Sequence, residues 1–506
     1  MTLQSYHSAL GSSEKEVEVQ GTLIIAVGGA TPEEARDKAE FLRKDFKNLD
    51  FPLEVPLGAQ EALWWAMWPG VPTERQVKEF TEITTGHDFS TLVPITSSDL
   101  GDDKGLLFAE NTTSGTARPV FLNLEGQIQG DVSGSMGVAA EPGAGKTIVL
   151  KDTIGAVHDR GGIFVAIDRT ASCEYGTFAR SLDPEHTSIV DLTEPEFSLD
   201  PLRVFGPVVG ASHMQTLLSA LLGVPARSDG GVLLSELLAP EYAVKHQLTD
   251  AGALLEHVRG LATTNAEAKR LAGLMGLYAN KQYGAVLFDG DLKPLDLTSR
   301  GIVFLTHGVA LPEAHELTNP DLFREMGLPK LFGRAMYALL ISIAREICFG
   351  NKDVLTLFVV DECFHVTASI EGAQELLTFY RDGRKHMAPV LVASQDARDF
   401  GDEISRGLIK NRILMRQTDT DLAITNLEWF HKDFGTDEEL VKTVTEDLSP
   451  LGPDNTVPAE RRGEGLMRDA QGRMGKIRKT VSLRPERRKA TLSTPGMRGD
   501  REKVAS

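Results

Sequence analysis

The feature that most restricts this fold is the run Glu141-Pro142-Gly143-Ala144-Gly145-Lys146-Thr147, set between an apolar stretch and a helical pattern. Met136–Ala140 reads as a buried strand, and Lys146–Asp159 as the helix that follows. A strand that turns through glycines straight into a helix aims several backbone N–H groups and a helix N-terminus at one point. That geometry binds phosphate. Lys146 stands where an ammonium reaches the β- and γ-phosphates of ATP, and the Thr147 hydroxyl can ligate Mg²⁺. Gly143, Ala144, Gly145, Lys146 and Thr147 are therefore the candidate nucleotide-binding residues of a Walker A loop. Ala140 occupies a position where glycine is usual, so a negative φ is expected there, with room for the methyl group. A glycine-rich turn that binds nothing is the competing reading, and the strand-to-helix context weighs against it.

Phosphoryl transfer also needs a carboxylate delivered beside that loop by a buried strand. Leu355–Val360 followed by Asp361-Glu362 fits such a Walker B element. Asp361 is expected to hold Mg²⁺ through water, and Glu362 to polarise the attacking water as general base. Val390–Ala393, ending in Ser394-Gln395-Asp396, places another strand tip at the nucleotide crevice of a parallel sheet. Gln395 is the candidate for sensing the γ-phosphate or positioning water, with Ser394 as alternative and a loop-capping amide as competing reading. Two arginines are candidates for neutralising the γ-phosphate from a neighbouring subunit: Arg384, in a glycine-containing loop, and Arg416, after the strand Arg412–Met415. Arg416 is favoured because a strand end is held more rigidly than such a loop. A lone arginine is ordinarily a surface salt-bridge partner, and this reading competes at both positions. His365 and Cys363, next to the carboxylates, read as packing residues.

The surrounding chain alternates strands and helices, the pattern of an α/β fold with a parallel sheet flanked by helices. Ile163–Ile167 and Ile302–Thr306 are further buried strands. Residues 206–291 are rich in Leu and Ala at helical spacing and read as a helical insertion. The ATPase core is then 126–205 plus 292–460. Residues 1–125 read as a small N-terminal α/β domain, with a strand at Val17–Ala26. Thr31-Pro32-Glu33-Glu34 caps a helix whose Ala35, Ala39, Leu42, Phe46 and Leu49 recur at helical spacing. Trp64, Trp65 and Trp68 cluster before Pro69-Gly70, and a packed aromatic core is the expected use of them.

Charge separates the last stretch from the rest. Residues 461–506 hold 14 Lys/Arg against 5 Asp/Glu, leaving 39 against 67 elsewhere in a chain of net charge −19. The acidic body is a poor coat for nucleic acid. The stretch reads as a hairpin, Gly465–Arg468 with Arg473–Lys479, followed by a solvated basic tail. Cys173, Cys348 and Cys363 form no CxxC pair, which points to a reducing cytosol rather than a disulfide scaffold or zinc site. No signal peptide and no apolar run of membrane-spanning length is evident, so membrane association is expected to go through partners.

Together these motifs resemble the type IV secretion and conjugation ATPases, the VirB-four/TraC branch of the HerA/FtsK superfamily. The resemblance rests on Met136–Thr147, Ile167-Asp168-Arg169-Thr170, Glu174-Tyr175-Gly176, Ser198–Arg203, Asp361-Glu362, Arg381–Lys385, Ala393–Asp396 and Gly463–Asp469. It implies a RecA-like P-loop core, hexamer formation, and ATP-driven channel assembly or substrate transfer at the inner face of the inner membrane. Channel proteins are the implied partners. Family members usually carry a longer N-terminal domain, so a separate chain is expected to replace the missing part. A HerA/FtsK-like DNA translocase and a nucleotide-gated scaffold without turnover are the alternative readings.

Overall fold

The computed structural model describes residues 3–11, 16–48, 52–72, 74–90, 98–114, 117–313, 316–317, 319–452 and 454–492. The chain divides into two compact units, Met1–Thr96 and Ser97–Ser506.

In the first unit, β1 (Glu18–Gly21) pairs antiparallel with β2 (Glu82–Thr85). The strand is shorter than the expected Val17–Ala26. The helix Pro32–Asn48 begins as its sequence dictates: Thr31 Oγ1 accepts from Glu34 N at 3.2 Å, and Glu34 reaches back to Ala30 N at 2.8 Å. No residue of this helix is buried, despite its apolar periodicity. The tryptophans overturn the packed-core expectation, since Trp64, Trp65 and Trp68 are each about half exposed. Only Ala59, Ala62, Val77 and Thr85 are buried among the described residues of this unit.

The second unit is built on an eleven-stranded sheet. Its strands are β3 (Leu106–Asn111), β4 (Arg118–Leu122), β5 (Met136–Ala139), β6 (Ile163–Asp168), β7 (Thr187–Asp191), β10 (Gly301–Leu305), β11 (Thr356–Val360), β12 (Val390–Ser394), β13 (Asn411–Met415), β14 (Glu464–Arg468) and β15 (Met474–Lys479). A separate parallel pair is formed by β8 (Phe197–Ser198) and β9 (Lys293–Pro294). The order across the large sheet is β4-β3-β15-β14-β13-β5-β12-β11-β6-β10-β7. Strands β13 to β7 in that order run parallel, and β14, β15, β3 and β4 extend the sheet antiparallel at one edge.

Parallel strands covered on both faces read as continuous apolar runs, and alternate residues serve the two faces. Along β6, Val165 and Ile167 enter one core, while Phe164 and Ala166 enter the other. The first core receives the helices Pro201–Leu222, Ala251–Leu261, Ala266–Ala279 and Leu328–Gly350. The second receives Val149, Leu150 and Ile154 of the phosphate-loop helix, with Tyr175 and Phe178.

Two expected boundaries move. Leu106, Phe108, Val120 and Leu122 join the second core, so β3 and β4 belong to the large sheet and not to an N-terminal domain ending at residue 125. The division falls after Thr96. At the other end, β14 and β15 are sheet strands, and the helix Pro485–Thr491 packs with Arg487, Ala490 and Thr491 buried. A region separate from the core beginning at residue 461 is thus corrected, and residues 493–506 lie outside the described residues. The basic side chains find acids of the body. Lys479 pairs with Asp152 at 2.5 Å, Arg478 with Glu110 at 2.5 Å, and Arg487 with Asp159 at 2.5 Å.

Candidate active site

The carboxyl ends of β5, β11, β12 and β13 converge on the glycine loop. Strand β5 lies between β12 and β13, so Ala140 N donates to Ser394 O at 3.1 Å and Glu141 N to Arg416 O at 3.1 Å. The loop is thereby fixed on both sides by strand ends. Gly143 and Gly145 take φ of 78° and 115°, a region costly for any side chain-bearing residue. Ala140 is buried and lies outside that region, so its methyl group is accommodated as expected.

Lys146 and Thr147 open the helix Lys146–His158. The Lys146 ammonium is buried, donating to Ala140 O at 2.9 Å, and lies 4.0 Å from Glu362 Oε1. Thr147 Oγ1 donates to Asp361 Oδ2 at 2.7 Å. Residues 214 positions apart are thus joined where Mg²⁺ and phosphates are expected, and the hydroxyl keeps lone pairs free for a cation.

Glu362 stands just past β11 with φ of 55°, an uncommon conformation for a residue with a side chain. Burial raises its carboxyl above the ordinary value; Lys146 opposes this, and the charges of Asp361 and Asp399 add to it. A carboxylate made more basic, beside a buried ammonium, suits proton abstraction from water. Gln395 is exposed at the tip of β12, while the Ser394 hydroxyl is engaged with Asp399. Of the two, Gln395 is the side chain exposed to solvent. His365 is held neutral, its pKa pushed down to about 4 by burial and by Arg169. Cys363 is fully buried, in keeping with packing.

A model of the AAA-like domain family matches residues 118–484. The chain belongs to that family. This AAA-like chain also resembles the solved structure of VirB4 of Thermoanaerobacter pseudethanolicus, at 19% identity and a TM-score of 0.53. The match covers 77% of this chain and 100% of that one. The bacterial conjugative coupling protein TrwB matches at 13% identity over 77% of this chain and 98% of its own, with a TM-score of 0.41. No curated protein matches the sequence.

The AAA-like core separates the two arginine candidates. Arg416 does not face outward as expected: it is buried, its Nε bound to Glu141 and its Nη1 donating to Ser449 O at 2.8 Å. The Glu141 carboxylate also accepts from Thr418 N at 2.9 Å and Thr418 Oγ1 at 2.6 Å. Burial alone would raise this carboxyl, but the Thr418 and Arg416 contacts hold it below the ordinary value. Arg416 thus braces the chain's own phosphate loop, and a neighbour's nucleotide cannot reach it without breaking that brace. Arg384 is different. It is partly exposed, donates to Asp131 O at 2.6 Å, and shares a cavity of about 540 Å³ with Arg381, Lys410, Arg412 and Arg468.

A further residue stands behind the expected site. Tyr175 is fully buried and donates its phenol to Asp361 Oδ2 at 3.0 Å. Its backbone N–H donates to Asp168 Oδ2 at 2.9 Å. Sequence reading singled out Glu174-Tyr175-Gly176 only as part of a resemblance, since nothing in the spacing places a tyrosine 186 residues from its partner.

Proposed function

We propose that this chain is an ATP-hydrolysing motor that energises assembly of, or transfer through, a conjugation or type IV secretion channel. The observation that carries the reading is the meeting of Thr147 with Asp361 at 2.7 Å, with Glu362 4.0 Å from Lys146, at the carboxyl ends of a parallel sheet. The donor set is a hydroxyl and a carboxylate, the hard oxygens that Mg²⁺ prefers. Thr147 and Asp361 would hold that ion, and Gly143, Ala144, Gly145 and Lys146 the phosphates of ATP. The ion supplies neutralisation of phosphate charge. Glu362 takes the proton of the attacking water, and Gln395 orients it. The channel assignment rests on the motif resemblance and on the fold shared with VirB4. Membrane attachment through channel partners accords with the absence, among the described residues, of a helix long and apolar enough to cross a bilayer.

The test separates binding from turnover. Lys146→Ala should weaken ATP binding, whereas Glu362→Gln should bind ATP and lose turnover by roughly 10²–10⁴-fold. Wild-type hydrolysis by Glu362→Gln would overturn the assignment. Strong stimulation of the wild-type rate by DNA would favour a DNA translocase over a channel motor.

In a ring of such subunits, a hexamer in the reading proposed, Arg384 is the arginine that reaches the neighbour's γ-phosphate. Arg384→Ala should lower turnover by roughly 10³-fold or more, the scale of a lost arginine finger. Mixing it with Lys146→Ala protein should restore part of the activity. No recovery in demonstrated mixed rings would remove the trans-acting arginine.

A further inference from the structure

The phenol of Tyr175 contacts the candidate metal ligand Asp361 from a fully buried ring. Its hydrogen bond to Asp361 Oδ2 shares that oxygen with the Thr147 hydroxyl, while Oδ1 accepts from Glu362 N at 3.1 Å. Three donors from separate elements thus fix both the χ angles and the plane of this carboxylate. Without the phenol, Asp361 keeps one side-chain donor and a neighbouring backbone amide, and its plane is free to turn.

Tyr175 is itself rigidly seated. Its N–H binds Asp168, which also accepts from Thr170 N at 2.9 Å and Thr170 Oγ1 at 2.6 Å. Lys151, from the phosphate-loop helix, lies 5.6 Å from the Tyr175 ring centroid and pairs with Glu174 at 2.7 Å. Lys151 is fully buried, so the ring lies between a charge on the phosphate-loop helix and the carboxylate at the end of β11. A purely space-filling aromatic at this place needs no hydroxyl, and a buried hydroxyl left unpaired is costly.

We infer that Tyr175 is a positioning residue for the divalent-cation site: its phenol orients Asp361 so that Mg²⁺ and nucleotide bind together. This rests on the proposed nucleotide site. Groups that orient metal ligands from behind affect metal affinity by roughly 10–100-fold.

The test titrates Mg²⁺ from EDTA into the full chain with a fluorescent ADP analogue and reads nucleotide binding. Tyr175→Phe keeps the ring and removes only the donor. It should leave affinity in EDTA unchanged and raise the half-saturating Mg²⁺ concentration by roughly tenfold or more. In an Asp361→Asn background, adding Tyr175→Phe should shift the Mg²⁺ titration no further. An unaltered titration in Tyr175→Phe, or the same added shift in both backgrounds, overturns the inference. Loss of the native thermal transition in Tyr175→Phe without metal or nucleotide also counts against it, since the hydroxyl would then hold the fold itself. If the wild-type chain binds the analogue with no response to Mg²⁺, it is the nucleotide-site reading that fails.

Discussion

The two ends of the chain use their residues in opposite ways. Residues 16–90 carry apolar side chains at helical and strand spacing, yet Leu23, Phe41, Leu57, Ile83 and the three clustered tryptophans remain exposed. Residues 461–492 are dominated by charge, yet they supply two sheet strands and a docked helix. The difference teaches that burial depends on whether a partner surface lies within reach of the chain. In the C-terminal stretch β14 is buried along most of its length and β15 on alternate residues, and Lys479, Arg478 and Arg487 each meet an acid of the body. The short β1–β2 ladder offers no comparable surface.

The strongest way to break this comparison is truncation after Leu483. It removes Arg484 and Arg487, both paired with Asp159 near the end of the phosphate-loop helix, and the buried Ala490 and Thr491. Asp159 stays exposed to solvent, so the cost comes mainly from losing the buried Arg487, Ala490 and Thr491, and a fall of about 1–3 kcal/mol is expected by denaturant unfolding. Unchanged stability would restore the picture of a solvated tail.

A smaller effect lies in pH. Burial acts to raise the Asp159 carboxyl, but hydrogen bonding and charge from Arg487, with Arg484, hold it below the ordinary value. A carboxyl depressed in the folded state contributes stability above its unfolded pKa of about 3.9, and that contribution disappears as pH falls through the folded value. The stability gap between wild type and Arg487→Ala should thus be full near neutral pH and shrink below about pH 4. A gap independent of pH would show that packing, and not the ion pair, docks the helix.

The smallest effect is expected in the first unit. Replacing Trp64, Trp65 or Trp68 singly by Ala should change stability by no more than about 0.5 kcal/mol, as for other exposed positions. Acrylamide should quench these three far more readily than Trp429, which is only 5% exposed. A large destabilisation would mean that the cluster is covered in solution.

Much of the AAA-like core was legible in the sequence for physical reasons. Strands buried on both faces are written as unbroken apolar runs, and the phosphate loop as glycines between a strand and a helix. Strands with another texture escaped. In β7, Thr187, Ile189 and Asp191 are only partly buried and alternate with buried Ser188 and Val190, so these five residues with polar members offer no unbroken apolar run. The pairs behind the site were illegible because they join distant positions: Glu141 with Arg416, 275 residues apart, and Asp361 with Tyr175. The preference for Arg416 rested on strand-end rigidity and took no account of Glu141, a partner that sequence spacing does not reveal.

The place of β5 in the sheet also governs when the molecule becomes competent. Its neighbours, β12 and β13, begin at Val390 and Asn411, so the strand bearing the glycine loop waits for more than 250 further residues before it is held on either side. Contacts so far apart along the chain close slowly. During synthesis the loop at Glu141–Thr147 leaves the ribosome early, but its flanking strands arrive only when most of the core has been made. A nascent chain stalled before Val390 would therefore carry the whole glycine loop with neither of the strands that flank β5.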